Sequence, residues 1–303
     1  MALVRLRDIG DATFFGDESG SMGCPRSATI TLDSEILRAK CGAAISERYQ
    51  GITSLSIEIS IETLDPFADI HPGDFATFGI TIPGAVDGSG LPGIGIGITV
   101  AGVVTGTVRR FVRNDLSNGT YTLRGISADG ITCPITFLDG VPAIDSGAGP
   151  SDFIRDIVSF DFDDGKITAD DFCPESIEMT EAAELIEDSC QGQLWPTYVG
   201  VTGLNVTVTA TGKGVKHGFD GGSSAFTCLG RKGRIEVEVA VGSDVDCASL
   251  TPSSDIAIVA RANVTSMTIT ATSGEISTIS LTWVGHGEAG EFTDESKRAY
   301  VFV

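Results

Sequence analysis

Histidine is nearly missing from this chain: His71, His217 and His286 are the only three in 303 residues. Each stands alone beside glycine or proline, so no pair has the spacing of a metal site or of a nucleophile and its base. The one stretch resembling a nucleophile elbow, Gly16-Asp17-Glu18-Ser19-Gly20, has its serine one place late. Gly93, Gly95 and Gly97 lie within a strand pattern rather than between a strand and a helix, so they form no phosphate cradle. No catalytic residue, cofactor or metal is expected. Aromatic material is also thin, with two tryptophans and four tyrosines, which argues against a sugar-binding platform. Long apolar runs are absent, since glycine, serine or charge interrupts each one, and no membrane span is expected. Met1 to Phe15 alternates charged and apolar residues without the continuous apolar centre of a secretory signal, so synthesis and folding in a cytoplasm are expected. The seven cysteines form no CxxC pair. Their odd number reads as reduced thiols, with Cys41 and Cys190 expected in the core. Lysine and arginine total 20 against 41 acidic residues, a net charge of −21, so the chain lacks the basic surface that holds nucleic acid.

What the chain does have is strand pattern, and it has it twice. From Leu55 the residues alternate, placing Leu55, Ile57, Ile59 and Ile61 on one face and Ser56, Glu58, Ser60 and Glu62 on the other. Ile235, Val237, Val239 and Val241 repeat the device, with Glu236 and Glu238 facing outward. Glu35 to Cys41 reads against Glu184 to Cys190 at an offset of 149 (184 − 35), and Val104 to Gly125 reads against Val264 to Gly285 at 160 (264 − 104). Gly73 is matched to Gly233, and a single 11-residue step in the offset is assigned to the glycine- and serine-rich run Gly212 to Ser224. A period this long is that of a duplicated, fused domain rather than of a solenoid. Two hairpins are expected, one turning at Asn114 to Gly119 and the other at Ser273-Gly274.

Helix is expected in one place. Pro174 to Cys190 has proline in its first turn, Glu175 and Glu178 near its positive end, Met179, Ala182, Ala183, Ile186 and Cys190 at helical spacing, and Gly192 as its stop. The matching Ser34 to Ala44 reads equally as helix or irregular strand. The acidic run Asp152 to Asp188 contains Phe160-Asp161-Phe162-Asp163-Asp164-Gly165. Aligned as a calcium loop, this puts phenylalanine at the first and third ligand positions, so an EF-hand is excluded and the run reads as turn and linker. The expected organisation is therefore mainly β, with domains at 1–165 and 166–303 and a long loop at 212–233.

A duplicated, acidic, β-rich chain without an active site resembles the tail-tube family of tailed bacteriophages. The residues that carry the likeness are the closing hairpin, Ala262-Asn263-Val264-Thr265-Ser266-Met267-Thr268-Ile269 through Ile276 to Glu288, and the loop Gly212 to Gly233. Pro72-Gly73-Asp74-Phe75 and Gly102 to Val108 are similar to the tube-type domains of baseplate hub proteins. The resemblance implies two tandem β-sandwich or barrel domains, each with at most one short helix. It implies self-association into rings that stack, with three two-domain chains completing a pseudo-sixfold ring, and contacts with other tail proteins. DNA would pass through the lumen without specific binding, and the protein would reside in the virion tail after synthesis in the host cytoplasm. Glu58, Glu62, Glu236 and Glu238 are the candidate lumen or ring-contact acids; the plainer reading of all four is a solvated sheet face. A hub or distal-tail protein with the same domains is the nearest alternative, and a β-sandwich receptor- or sugar-binding module is a more distant one.

Overall fold

The computed structural model describes residues 9, 11–15, 19–22, 24–39, 48–64, 66, 68, 70–84, 93–113, 115–141, 154–163, 172–190, 192–215, 229–230, 232–242, 255–287 and 300–302. Among them there is no helix, and fifteen strands form one antiparallel sheet. The first eight are β1 (Asp11–Phe15), β2 (Ser19–Ser21), β3 (Pro25–Ala39), β4 (Arg48–Thr63), β5 (Phe75–Gly84), β6 (Gly93–Val112), β7 (Asn118–Gly125) and β8 (Ile135–Val141). The remainder are β9 (Ile154–Asp163), β10 (Phe172–Asp188), β11 (Tyr198–Val215), β12 (Lys232–Gly242), β13 (Asp255–Thr270), β14 (Thr278–Gly285) and β15 (Tyr300–Phe302).

The pairing pattern occurs twice. In the first half β3 pairs β4, β4 pairs β7, β7 pairs β6, β6 pairs β5 and β5 pairs β1, while β8 adds to β6. In the second half β10, β11, β14, β13, β12 and β9 follow in the same relation, while β15 adds to β13. Registers repeat as well. Ile30 faces Ile59 as Met179 faces Val208, and Val104 faces Leu123 as Val264 faces Trp283. The register shifts between Pro25 and Ser27, Glu35 and Ile36, and Val104 and Gly106 recur between Pro174 and Ser176, Glu184 and Leu185, and Val264 and Ser266. A bulge reaims a strand, so shared bulges mean shared bends. Side chains repeat the theme: the hydroxyls of Thr53 and Thr202 donate to the carbonyls of Glu35 and Glu184, at 3.2 and 3.1 Å.

Two core clusters result. Ala12, Phe14, Ile57, Ile59, Ile61, Phe78, Ile80, Tyr121 and Leu123 fill the first; Phe160, Ile177, Met179, Val208, Ile235, Val237, Val264 and Trp283 fill the second. The alternation read from Leu55 holds, because Ile57, Ile59 and Ile61 are fully buried and Leu55 packs against the same cluster. Ile235 and Val237 are likewise buried, whereas the side chains of Val239 and Val241 lie outside the described residues. The hairpin turns fall where expected, and Gly274 has the positive φ of 88° that a tight turn requires.

Four expectations are corrected. Pro174 to Cys190 is not a helix: it is strand β10, flanked by β6 and β11. Beyond the buried Pro174, its buried residues are Ile177, Met179 and Glu181, two apart, so the helical spacing of Met179, Ala182 and Ala183 is incidental. The acidic run is not a linker, because 154–163 is strand β9 on the edge of β12, where Phe160 enters the second core. Gly73 corresponds to Gly230 rather than Gly233. The N–H of Gly73 donates to Val104 as that of Gly230 donates to Val264, and both glycines have positive φ, 98° and 80°. The offset therefore climbs in two steps, through 157 (230 − 73) to 160, and not in one. Cys190 is exposed rather than in the core, and Cys41 lies outside the described residues. Ser34 to Ala39 proves to be irregular strand, bulged at Glu35 and again at Leu37.

Candidate assembly interface

The two halves meet where residues 106–112 of β6 pair with 176–182 of β10, in the register Gly106 to Ala182 through Val112 to Ser176. Gly106 suits this joint, since a Cβ there would come within 3.1 Å of the Glu181 carbonyl oxygen. On the inner face of the joint, Glu181 stands opposite Thr107, Met179 opposite Arg109 and Ile177 opposite Phe111. Arg109 and Glu181 are buried almost completely, at 0% and 1% side-chain exposure, and their ion pair closes at 2.8 Å. The Thr107 hydroxyl donates to Glu181 at 2.7 Å and accepts from Arg109 at 2.7 Å. Arg109 also donates to the carbonyls of Pro66, Ala68 and Ile70, at 3.0, 3.2 and 2.8 Å, and lies 5.6 Å from the Tyr121 ring centroid. A buried charge is tolerable when it is paired and hydrogen-bonded on every side, and this one is.

Each half also lends a large aromatic to the other. Phe111 of β6 packs in the second core, and Trp195, from the connection between β10 and β11, packs in the first. The Trp195 connection is tied down by backbone bonds. Leu55 donates to Leu194 at 2.7 Å, Ser127 donates to Pro196 at 2.9 Å, and Leu194 and Trp195 both donate to Gly130 at 2.9 and 3.1 Å. Outside the joint, Arg124 makes a two-pronged contact with Glu187 at 2.7 and 3.2 Å. Asp33, Glu35, Arg124, Glu187, Asp188 and Leu194 line an open cleft of about 520 Å³ beside it. Among the described residues no group of histidine, cysteine and acidic side chains is arranged to hold a metal.

The platform under Leu194 and Trp195 is set by Asp129. The Thr132 N–H, the Thr132 hydroxyl, the Ile131 N–H and the Ser127 hydroxyl, in that order of effect, hold its carboxyl far below the usual carboxylate range. Because the folded form prefers the carboxylate, the contribution is complete above the unfolded value of about 3.9 and fades as pH falls below it. Acidification is expected to lower the protection of the Leu194 and Trp195 amides relative to their intrinsic exchange rate at the same pH, and Asp129→Asn to speed their exchange already at neutral pH. Hydrogen exchange read by mass spectrometry on peptides covering 192–197 checks this; equal exchange in both proteins at neutral pH would contradict it.

The candidate acids are placed unevenly. Glu58 is exposed on β4 between Thr31 and Arg124 of the neighbouring strands. Glu62 is half-buried and occupied, receiving hydrogen bonds from Arg26, Ser27 and Asn118 at 3.4, 3.2 and 2.9 Å. Glu236 is exposed on β12, 3.4 Å from Arg234. The backbone of Glu238 faces Ala257 and Ser159, and its side chain lies outside the described residues. The two pairs sit on non-equivalent strands. In the second half Glu58 and Glu62 correspond to Thr207 and Thr211, and in the first Glu236 and Glu238 correspond to Gly79 and Thr81. Sequence reasoning missed the Arg109–Glu181 pair, whose partners stand 72 residues apart. The available signal was charge interrupting strands that otherwise alternate apolar residues inward.

Several strands have one partner only among the described residues, β2, β8, β9 and β15 among them, and two further open edges are counterparts of the internal joint. β3 pairs only with β4, leaving its outer edge open. β13 pairs with β12 only as far as Asn263, so beyond Val264 it is covered by β14 on one side alone. Compared with models of known protein families and with curated protein sequences, the chain has no match to either.

Proposed function

We propose that this chain is a structural protein of a tailed bacteriophage virion that forms the tail tube, three copies closing a ring of six similar units around a DNA conduit. The observation that carries the reading is the recurrence of one strand-pairing scheme in two halves already joined edge to edge. We take the second unit to begin with β9, the counterpart of β1. A head-to-tail contact between like units closes a ring when its rotation divides the circle and otherwise grows a filament. Negative-stain microscopy of the concentrated protein is expected to show rings of about six lobes or stacked tubes. Isolated single chains at every concentration and salt would overturn the reading.

The acidic balance supports the conduit, because a wall of carboxylates repels the phosphates of passing DNA. The non-equivalent placement of the acids puts each pair in three of the six units rather than in all. Charge reversal at Glu58 and Glu236 is expected to leave assembly intact and to make the assemblies bind duplex DNA in low salt, releasing it steeply as salt rises. Gel shift against labelled DNA reads this, and no binding by the doubly reversed assemblies would remove the two residues from the lumen.

One observation favours a second reading within the same family. The halves are unequal, with β2 having no counterpart among the described residues. A single ring presenting different faces to different partners, as in a baseplate hub or distal-tail protein, has use for such inequality. Rings that never stack would select it.

A further inference from the structure

The internal joint has a counterpart that the chain does not fill by itself. The second-half equivalent of β6 is β13, and the first-half equivalent of β10 is β3, and each leaves open the edge that corresponds to the internal joint. We infer that residues 27–33 of β3 pair antiparallel with residues 266–272 of a second copy, in the register Leu32 to Met267, Ile30 to Ile269 and Ala28 to Ala271. The register is the internal one carried across the repeat, Leu32 standing where Glu181 does and Met267 and Ile269 where Thr107 and Arg109 do.

The chemistry of those positions argues for burial. The buried polar trio of the internal joint is replaced at the open edges by leucine, methionine and isoleucine, yet Leu32 is 57% exposed and Ile269 37% exposed. The two segments, Ser27-Ala28-Thr29-Ile30-Thr31-Leu32-Asp33 and Ser266-Met267-Thr268-Ile269-Thr270-Ala271-Thr272, hold one charge between them in a chain that is 20% charged. An open strand edge without charge is a template for another strand. Here the fitting strand is another copy of the same chain, because each edge has the other as its counterpart in the internal joint. The difference between the joints also prevents their exchange. β3 laid against β6 would set Leu32 where Arg109 needs a carboxylate, and β10 laid against β13 would bury Glu181 among Met267 and Ile269. The ion pair thus directs β10 to β6 within the chain and leaves β3 for β13 of the next copy.

This inference rests on the ring reading for closure, and its test separates the two. In full-length protein carrying Cys190→Ser, Thr31→Cys with Thr268→Cys places two thiols opposite each other across the inferred joint. Ser27→Cys with Thr268→Cys places them four residues out of register, about 13 Å apart and beyond the reach of a disulfide. Mild oxidation is expected to give disulfide-linked dimers and trimers from the first pair and none from the second. Leu32→Glu and Ile269→Arg, both at surface positions that leave the chain folded, are each expected to weaken association on the order of a hundredfold. Combining them reinstates the pair of the internal joint and is expected to restore assembly. If rings form but the in-register pair does not cross-link, or the single variants assemble normally, the inferred edge is wrong and the ring stands. If the unaltered chain stays single throughout, both fall together.

Discussion

Replacing Glu181 with leucine should cost about 3–5 kcal/mol of stability, one of the largest effects expected of any single change in this protein. The substitution leaves the Arg109 guanidinium buried where its counter-charge stood 2.8 Å away. The carbonyls of Pro66, Ala68 and Ile70 still accept its hydrogen bonds, but they do not neutralise it. Removing both charges, as Arg109→Ile with Glu181→Leu, copies the residues of the open edges and should recover part of the loss. Recovery stays incomplete because the carbonyls of Pro66, Ala68 and Ile70 lose their donor. Urea denaturation of the two single variants and the double variant gives the coupling directly. A Glu181→Leu cost below about 1 kcal/mol would mean that the joint is open to water, contrary to its burial.

Trp283→Ala should cost about as much, 3–5 kcal/mol, by loss of apolar burial and creation of a cavity. Trp283 is fully buried on β14 and lies against Phe160, ring centroids 5.6 Å apart. Its counterpart in the first half is Leu123, which is equally buried. Because each residue belongs to a separate core cluster, their effects should be regional. Trp283→Ala should raise amide exchange first in β9, β12, β13 and β14, and Leu123→Ala first in β4, β5, β6 and β7. Exchange rising uniformly through both halves in either variant would show one cooperative core in place of two.

Much of this organisation is legible in the sequence where a single rule applies. Leu55 to Ile61 alternates without interruption, and its burial follows from the two-residue period alone. The repeat is legible because Glu35 and Glu184 keep their spacing to the cysteines that follow. Where two periods compete, local pattern fails. Pro174 to Cys190 satisfies helical spacing on paper, but β11 along its length as far as Asp188 and β6 across Ser176 to Ala182 offer its backbone ladder partners, and pairing decides. β9 is hidden by its aspartates, although Phe160-Asp161-Phe162-Asp163 alternates as an edge strand should. The joint itself is illegible because Thr107, Arg109 and Glu181 acquire meaning only when two distant strands meet. The match of Gly73 to Gly233 fails because two insertions, not one, separate the copies, and only the bonds to Val104 and Val264 reveal the true partner.

The central claim is that one chain supplies two like units and that further copies complete what its open edges begin. Mass photometry of the purified chain over a dilution series tests this most directly. The account predicts a discrete species of three chains that dissociates on dilution without a stable two-chain end point, together with larger multiples of three where rings stack. A single-chain mass at every concentration and ionic strength, or a closed pair that never takes a third copy, would contradict it.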